Sequence, residues 1–324
     1  MGAMPNPRTG QRMVHFDAAA TAAALPYPAL IEALRAMFIS GCEVPPRHAH
    51  AVADANGQSA GTVLLMPAWR PGRFIGLKVV NIFPANAQTE LPALHAIYTL
   101  FDANTGVPLA QMDGMQITTR RTVAASALAA SFLARADAKR LLIVGAGRVA
   151  SEVAQAMCVV RPSLDTVQVW ARNPAAAATL AANLIDAGIP ATATQELEAA
   201  VRQADIVSCA TLSTSALVHG AWLAPGAHLD LIGAFTPTMR ESDGECFARG
   251  RVFVDTEEAL VKAGDVLHAI DEGAFSADKL QATLAQLCRG QHPGRRAAGE
   301  ITLFKSVGSA LEDLAAAELI YRAR

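Results

Sequence analysis

The stretch that most constrains the fold of this chain is Arg140–Val153, which reads RLLIVGAGRVASEV. A short apolar run typical of a buried strand is followed at once by Gly145 and Gly147, and the residues after Ala150 can continue as a helix. A strand, a glycine-rich turn and a helix in this order are the fingerprint of a dinucleotide-binding Rossmann fold. In a chain of 324 residues the fingerprint lies near the middle, so we expect a second domain in front of it.

Each small residue of the fingerprint has a physical role. Gly145 permits the tight turn, Gly147 lets the backbone approach a pyrophosphate, and Ala150 lets the helix pack closely on the strand. The helix N-terminus then faces the phosphates. A glycine-rich turn alone is weak evidence, but its place between strand and helix favours dinucleotide binding over a purely structural turn. We expect Gly145, Gly147 and Ala150, together with Val149 in the same turn, to bind the cofactor.

The end of the next strand indicates which dinucleotide binds. An acidic residue there would accept hydrogen bonds from the ribose hydroxyls of NAD, but this chain has Ala171 followed by Arg172. A neutral residue and a guanidinium suit a 2′-phosphate, so we predict that NADP is preferred and that NAD is the second choice. Alternatively, Arg172 is a solvated surface charge. Asn173 is a further cofactor candidate and can also cap a helix that begins at Pro174.

The hydrophobic pattern differs on the two sides of Lys139. After it, strand-like runs alternate with helix-like segments, which predicts an α/β fold with a doubly wound parallel sheet. Between Pro45 and Met112, short apolar runs are separated by glycine-containing turns, which predicts mainly antiparallel strands in an N-terminal α+β domain. Helical spacing is found in Tyr27–Ser40, in Val123–Ala136 and in a final amphipathic segment.

Composition excludes several classes of protein. With 52% hydrophobic and 17% charged residues, the chain can bury a large core. The formal net charge of -2 gives no reason to expect a nucleic acid or a membrane surface as partner. The five cysteines form no CxxC pair, so we expect reduced thiols in a cytoplasmic protein and no metal site. We recognise no signal peptide and no apolar run of the ~20 residues that span a bilayer.

Three cations stand in or beside apolar, turn-bounded segments. They are Arg47 in VPPRHAH, Lys78 in GLKVVNIFPAN and Arg121 in ITTRRTVAASALAA. An unpaired cation is costly in an apolar setting, so convergence of the three on a carboxylate would explain them. Three separate surface charges are the other explanation. The residue pattern by itself leaves both open.

The chain resembles the ornithine cyclodeaminase/mu-crystallin family along nearly its full length. The segments that carry the resemblance are PPRH, GLKVVNIFPAN, ITTRRTVAASALAA, LIVGAGRVA and GEITLFKSVGSALEDLAAAE. The resemblance implies a homodimer with a substrate-binding and dimerisation domain, residues 13–122 plus 303–324, and an NAD(P)-binding Rossmann domain, residues 123–302. It further implies that the terminal helix packs back onto the first domain.

The resemblance also assigns roles to residues outside the fingerprint. It implies that Arg47, Lys78 and Arg121 hold a substrate carboxylate and the nitrogen next to it. Gly147 and Arg148 are expected to lie under the pyrophosphate of the cofactor, and Thr211 is expected to border its nicotinamide half. Ser306 is expected to approach the cofactor, and Val307 the substrate.

One position departs from the cyclodeaminase pattern in a way that bears on the reaction. Cyclodeaminases and the related alanine dehydrogenases have an acid/base carboxylate after the fifth strand, in a Gly-Gly-Asp or Gly-Ala-Asp segment. This chain reads HLDLIGAFTPTMRES, with Phe235 at that position and Asp230 misplaced inside the strand. A phenyl ring cannot exchange protons. Ala93 likewise replaces a threonine, and the GAFTPTMRE segment resembles the bacterial Δ1-pyrroline-2-carboxylate reductases of the family.

These features predict NAD(P)H-dependent reduction of a small cyclic ketimine carboxylate. The expected reaction converts Δ1-pyrroline-2-carboxylate to L-proline, or its six-membered homologue Δ1-piperideine-2-carboxylate to L-pipecolate. Lys78 and His48 are the candidate proton donors, although His48 can equally be structural, and Phe235 should lie beside the nicotinamide. The alternatives are an ornithine cyclodeaminase or amino-acid dehydrogenase, with Glu241 as its carboxylate, or a crystallin-like protein that only binds NADPH or another small molecule.

Overall fold

The computed structural model describes residues 13–323, and these divide into two compact units. The first unit contains residues 13–26, 41–118 and 313–323. The second contains residues 27–40 and 119–312. Each unit has its own sheet, so each is described separately.

The first unit is built on a six-stranded sheet with the strand order β1-β6-β5-β4-β3-β2. Its strands are β1 (Val14–Phe16), β2 (His48–Ala53), β3 (Ser59–Arg70), β4 (Phe74–Ile82), β5 (Leu94–Asp102) and β6 (Pro108–Asp113). All pairs are antiparallel except β1 with β6, which confirms the mainly antiparallel domain. The turns contain Gly57, Gly72 and Gly106, each with a φ between 71° and 78° that favours glycine.

The two faces of this sheet differ in polarity and burial. Met66, Lys78, Tyr98 and Met112 lie opposite one another on neighbouring strands, and all four are buried. The next row consists of His48, Leu65, Val79 and Ile97, and these residues are partly or largely exposed. Successive residues of a strand point to opposite faces. Lys78 therefore belongs to the buried face of the sheet and His48 to the other face.

Three helices fall in the first part of the chain: α1 (Ala18–Ala23), α2 (Tyr27–Ser40) and α3 (Gly114–Leu133). The expectation for α2 is confirmed, and Gly41 follows it with a φ of 73°. Helix α3 begins at Gly114, well before the expected Val123. The backbone N–H of Gln116 donates to the Asp113 carboxylate at 2.8 Å, which supports the first turn of a segment whose threonines have low helix propensity.

The second unit is built on an eight-stranded sheet in which every pair is parallel. The strands of the whole unit, including two that lie outside this sheet, are in chain order β7 (Arg140–Val144), β8 (Thr166–Trp170), β9 (Ala191–Ala193), β10 (Ile206–Cys209), β11 (Thr214–Val218), β12 (His228–Leu231), β13 (Arg240–Ser242), β14 (Arg251–Val254), β15 (Ala282–Thr283) and β16 (Thr302–Lys305). Strands β11 and β13 form a separate two-stranded parallel sheet.

The remaining helices follow the strands of this unit. They are α4 (Ala150–Val160), α5 (Pro174–Asp186), α6 (Leu197–Gln203), α7 (Gly244–Arg249), α8 (Ala259–Lys262), α9 (Gly264–Asp271), α10 (Leu284–Cys288) and α11 (Ala310–Arg322). The large sheet has the order β15-β14-β16-β12-β10-β7-β8-β9. Strand order reverses at β7 and β10, and in such sheets ligands bind at the carboxyl ends of the strands near this point. The α/β class predicted from the sequence is confirmed.

The compact units do not follow the expected boundaries at three places, one of which is that residues 119–122 lie in the second unit. Helix α2 lies in the second unit, where it packs on α4 and α10. Residues 303–312 also lie there, because β16 is a strand of the parallel sheet between β12 and β14 rather than a separate extended segment. Within residues 13–323, no helix combines the length and the apolar character needed to cross a membrane.

Candidate active site

The turn after β7 has the geometry that a pyrophosphate needs. Gly145 has a φ of 125°, and a side chain there would meet the carbonyl of Ala210 at 2.5 Å, so glycine is required. Gly147 is exposed, with open space where a side chain would be. Helix α4 starts at the fully buried Ala150, so its positive N-terminal end follows the turn directly. These residues fit a dinucleotide.

The end of β8 carries no carboxylate. Ala171 is half-buried, Arg172 is exposed, and both precede α5. The Asn173 side chain accepts a hydrogen bond from the Ala175 backbone N–H at 3.0 Å, which confirms the expected helix cap. Arg172 and the exposed Arg148 are cations next to the cofactor-binding elements, in positions where they can attract a phosphate.

In the first unit, Lys78 of β4 is held by an acidic residue of α11. The Nζ atom of Lys78 lies 2.6 Å from Oδ2 of Asp313, and the side chains are 2% and 0% exposed. The ammonium also donates to the Thr118 hydroxyl at 3.4 Å. A buried ammonium is stable only with such partners. Lys78 is therefore a fixed positive charge within the buried side of the sheet, which excludes the surface-charge explanation for this residue.

In the second unit, Arg121 of α3 is held in the same manner. Its Nη1 atom donates to Oε2 of Glu312 at 2.6 Å, with both side chains almost fully buried. Gly308, with a φ of 77°, lies against the guanidinium so closely that a side chain at this position would collide with it. Arg121 is thus a second buried cation, and it lies next to the segment that contains the predicted residues Ser306 and Val307.

The segment after β16 is anchored by Asp255, which the sequence analysis missed. The backbone N–H groups of Val307 and Gly308 donate to the Asp255 carboxylate at 2.8 Å and 2.6 Å. Burial raises the pKa of Asp255, while these hydrogen bonds and the nearby Arg121 oppose the rise. The structure therefore brings Arg121, Val307 and the buried Ser306 into one region of the second unit.

Arg47 and His48 lie at the start of β2 in the first unit. His48 is exposed, and it pairs with Leu65, in the row that belongs to the opposite sheet face from Lys78. The structure therefore does not bring the two candidate proton donors together, and an exposed position does not fit a buried structural histidine either. Arg47 is half-buried and directly precedes the strand.

Thr211, at the carboxyl end of β10, is bound to a buried acid. Its backbone N–H and its hydroxyl both donate to Oε1 of Glu241, at 2.7 Å and 2.8 Å. Glu241 is fully buried, so its carboxyl group cannot contact a ligand directly. This geometry contradicts the alternative in which Glu241 itself replaces the missing acid/base carboxylate.

Phe235 follows β12 at the position of that carboxylate. Its side chain is 44% exposed, so it is not ordinary core filling. Ala234 before it has a φ of 50°, a conformation that residues with a Cβ seldom adopt. The turn after β12 therefore presents an aromatic ring toward solvent at the carboxyl edge of the sheet.

Asp230 is the acidic residue inside β12, and its side chain is buried in the core. It accepts hydrogen bonds from the hydroxyls of Ser126 at 2.9 Å and Ser208 at 2.6 Å. Burial raises the pKa of Asp230 to about 6, although the two serines oppose the rise. This acid is unable to exchange protons with a ligand outside the sheet.

The acidic partners Glu312 and Asp313 were missed because α11 reads as an ordinary amphipathic helix. Both carboxylates are fully buried. Two consecutive acids in an alanine- and leucine-rich segment are a signal that could have found them, since such a pair cannot be buried without cations.

The chain is similar to a known protein family over nearly its whole length. The chain matches the ornithine cyclodeaminase/mu-crystallin family over residues 18–323. It is 40% identical over 267 residues to the Delta(1)-pyrroline-2-carboxylate reductase of Paracoccus denitrificans, with 82% of this chain and 84% of the relative covered.

Two solved structures share the fold over nearly the whole chain. The Delta(1)-pyrroline-2-carboxylate reductase of Thermococcus litoralis, in complex with NADH and L-proline, superimposes with a TM-score of 0.88 at 32% identity, covering 96% of this chain and 97% of that chain. An archaeal alanine dehydrogenase dimer with bound NAD superimposes with a TM-score of 0.86 at 27% identity, covering 96% of this chain and 95% of that chain.

Proposed function

Because this chain belongs to the ornithine cyclodeaminase/mu-crystallin family, we propose that it reduces a cyclic ketimine carboxylate with a nicotinamide cofactor. The product is a cyclic amino acid, L-proline from Δ1-pyrroline-2-carboxylate or L-pipecolate from the six-membered ring. The relative from P. denitrificans and the neighbour from T. litoralis are both named for the five-membered reaction. The five-membered ring is therefore the first substrate to test.

The observation that carries the proposal is the phenyl ring of Phe235, exposed where cyclodeaminases and alanine dehydrogenases are expected to have a carboxylate. Reduction of a C=N bond requires one hydride at carbon and one proton at nitrogen. An imine takes that proton readily near neutral pH, and the resulting iminium accepts hydride better. Cyclodeamination also requires oxidation of an amine, ring closure and loss of ammonia, with several proton transfers. The shorter reaction therefore does not require an acid/base carboxylate at this position, whereas cyclodeamination is harder without one.

Within this proposal, cationic residues bind the substrate carboxylate. Arg121 offers the planar fork that a carboxylate matches, and Glu312 fixes its direction. Lys78 offers a point charge fixed by Asp313, and it is also the candidate proton donor to the ring nitrogen. Arg47 completes the proposed group, and Val307 is the proposed apolar contact. His48 stays a weaker proposal because its side chain lies on the other face of the sheet from Lys78.

The proposed cofactor site consists of the turn after β7 and the carboxyl ends of the neighbouring strands. The residues that would hold the cofactor are Gly145, Gly147, Arg148, Val149, Ala150, Arg172, Asn173, Thr211, Phe235 and Ser306. Bound NADPH would supply the hydride. Arg172 without an acidic neighbour favours NADPH over NADH, whereas the two neighbouring structures contain NADH and NAD.

We also propose that the protein is a cytoplasmic homodimer and that its first unit supplies the dimer contact. The alanine dehydrogenase neighbour is a dimer. On the outer face of the first sheet, Leu65, Pro67, Trp69, Ile75, Val79 and Ile97 are partly or largely exposed apolar side chains. An apolar face of this kind is typical of a protein interface.

The test measures the steady-state kinetics of both ketimine reduction and amino-acid oxidation. Oxidation of NADPH and NADH is followed with Δ1-pyrroline-2-carboxylate and Δ1-piperideine-2-carboxylate, and reduction of NAD and NADP with ornithine and alanine. We expect rapid ketimine reduction, faster with NADPH, and no release of ammonia from ornithine. Robust conversion of ornithine to proline would overturn the proposal. Tight NADPH binding without any turnover would favour a binding protein instead.

A further inference from the structure

Three adjacent strands of the second unit, β10, β12 and β16, end at a fully buried group of charged side chains. The group contains two acids, Glu241 and Asp265, and one ammonium, Lys305. Asp265 accepts hydrogen bonds from the backbone N–H groups of Glu241 and Ser242 at 2.8 Å and 2.9 Å. The Nζ atom of Lys305 lies 3.5 Å from the Asp265 carboxylate and donates to the carbonyls of Leu231 and Gly233. With both acids ionised, this group would keep one negative charge in excess.

Glu241 connects the group to the edge of the sheet. One of its oxygens, Oε1, accepts both hydrogen bonds from Thr211. The other, Oε2, is buried without a hydrogen-bond partner among the described residues. Thr211 itself is only half-buried. A single threonine therefore lies between a buried acid and the surface where strands β10 and β12 end.

Thr211 also lies against the dinucleotide turn. A side chain at Gly145 would come within 3.3 Å of the Thr211 methyl group. A side chain at Gly233 would collide with the Thr211 carbonyl and the Glu241 carboxyl. Thr211 is thus packed between the fingerprint and the segment that leads to Phe235. A cofactor seated on the fingerprint would meet the Thr211 hydroxyl first among the polar groups of this buried network.

The protonation state of Glu241 decides which way the Thr211 hydroxyl points. An ionised carboxylate only accepts hydrogen bonds, so Thr211 must donate its single hydroxyl hydrogen inward. A protonated Glu241 can instead donate to Thr211 Oγ1. That oxygen also accepts from the Ser213 backbone N–H at 3.2 Å. With both acceptor positions of the hydroxyl filled, its hydrogen is available to an acceptor outside the protein core.

We propose that Glu241 is a positioning residue that, in its protonated form, turns the Thr211 hydroxyl outward as a hydrogen-bond donor to an acceptor oxygen on the nicotinamide half of the cofactor. The proposal rests on the proposed function only in that a nicotinamide cofactor binds at the fingerprint. It needs no assumption about the second substrate. Glu241 acts through Thr211 and does not touch the cofactor.

The pH range of this effect follows from the groups around Glu241. Burial is the largest cause that raises the pKa of Glu241 to about 7, and Asp265 of α9 adds to the rise while Lys305 of β16 opposes it. Cys209 of β10 also faces Glu241, and burial keeps the pKa of its thiol well above the usual range, so it stays neutral. Asp230 of β12 faces Lys305. Glu241 is protonated below its pKa, so the outward donor is present below about pH 7 and is lost above it.

The experiment measures the dissociation constant of NADPH against pH in the absence of a second substrate. The quenching of protein fluorescence is followed for the wild type, E241Q and E198Q. Glutamine keeps an oxygen as the acceptor for the Thr211 backbone N–H and hydroxyl, and it does not titrate, so the Thr211 hydroxyl points inward at every pH. We expect the ratio of the wild-type dissociation constant to that of E241Q to be about three- to tenfold larger at about pH 8 than at about pH 6. This is the effect of losing one hydrogen bond. E198Q changes an exposed glutamate paired with Arg202 and should follow the wild type. Titration of the cofactor 2′-phosphate affects all three proteins equally.

Two threonine variants separate this effect from a general structural role. T211S keeps the hydroxyl and should keep the pH dependence. T211V has no hydroxyl to donate, so at every pH it should bind NADPH about as weakly as the wild type does above about pH 7. Infrared difference spectra should show a protonated carboxyl band that disappears near pH 7 and is absent in E241Q. Parallel pH profiles for the wild type and E241Q would overturn the proposal, as would T211V with wild-type pH dependence. Failure of ketimine turnover would overturn only the proposed function, since the binding measurement is independent of it.

Discussion

The Nζ atom of Lys78 and the Oδ2 atom of Asp313 are 2.6 Å apart in a place where neither side chain is more than 2% exposed. The two residues come from β4 and α11 of the same compact unit. A carboxylate and an ammonium in such surroundings each lose their hydration, and their mutual contact compensates for a large part of that loss. Lys78 is therefore a preset charge whose position depends on Asp313.

Replacement of Asp313 by asparagine tests this dependence. The change keeps the shape but leaves the Lys78 ammonium without its carboxylate, so the free energy of unfolding should fall by about 3–5 kcal/mol. Urea denaturation measures the loss. As a control, the apolar pair in K78M/D313L should restore most of the stability, since it removes both charges together. An unchanged denaturation midpoint in D313N would show that the ion pair contributes nothing.

Replacement of Arg121 by lysine keeps the charge and removes the planar fork. We expect kcat/KM for ketimine reduction to fall by about ten- to a hundredfold, the effect of about 1.5–3 kcal/mol for a charged hydrogen bond. The matched control is R120K, because Arg120 precedes Arg121 and lies beside Glu152 and the Tyr27 ring instead. If R121K keeps wild-type efficiency, Arg121 is not a bidentate carboxylate ligand.

Arg172 is expected to distinguish the two cofactors. In R172A the KM for NADPH should rise about ten- to a hundredfold while that for NADH changes little, since a charged contact to phosphate contributes about 1.5–3 kcal/mol. R202A removes another partly exposed arginine, one paired with Glu198, and serves as the control. Equal changes for NADPH and NADH would contradict the proposed 2′-phosphate contact.

The ring of Phe235 should favour reduction by keeping water from the iminium. The F235D variant places a carboxylate at this position and rehydrates it, so ketimine reduction should weaken by at least about tenfold, that is by more than about 1.4 kcal/mol in activation free energy. F235L, which keeps an apolar side chain, should lose less. The assay is NADPH oxidation together with ammonia release from ornithine. Undiminished reduction by F235D would show that the ring has no such role.

Stability should depend on pH through Asp230. Its pKa rises from 3.8 in the unfolded chain to about 6 in the fold, so folding disfavours the ionised form. The stability associated with Asp230 is fully present below about pH 4 and is lost as the pH rises through about 6. Relative to D230N, the wild type should lose up to about 3 kcal/mol of unfolding free energy over this range. Denaturation at several pH values measures it, and parallel curves would refute the assignment.

Local signals in the sequence predicted a large part of the fold. The glycines at 57, 72 and 106 marked the hairpin turns because a positive φ favours this residue. Gly145, Gly147 and Ala150 marked the strand–turn–helix unit because their spacing follows from the shape of a pyrophosphate site. Both signals depend on residues that are only a few positions apart, so they can be recognised in a single sequence.

Most of the parts that were missed depend on residues far apart in the chain, and the early start of α3 is a local exception. Helix α3 starts early because Asp113 caps a threonine-rich segment that looks unsuited to a helix. An extended segment before the final helix was expected, but its place in the parallel sheet was not, because that place comes from pairing with β12 and β14, which lie far back in the chain. Asp255 has no local signal of its function, and the adjacent acids Glu312 and Asp313 do not reveal their partners locally, because each of the three acts on a residue at least 50 positions away.

The distant origin of Glu312 and Asp313 has a consequence for the order of folding. Arg121 precedes its partner Glu312 by 191 residues, and Lys78 precedes Asp313 by a still longer stretch of chain. Contacts between such distant residues form late, because a long loop must close before they provide any stabilisation. Until α11 is made, the nascent chain lacks Glu312 and Asp313, the two carboxylates that form the buried ion pairs with these cations. Burial of both cations therefore coincides with the arrival of α11, so the proposed substrate charges are fixed in place only in the last steps of folding.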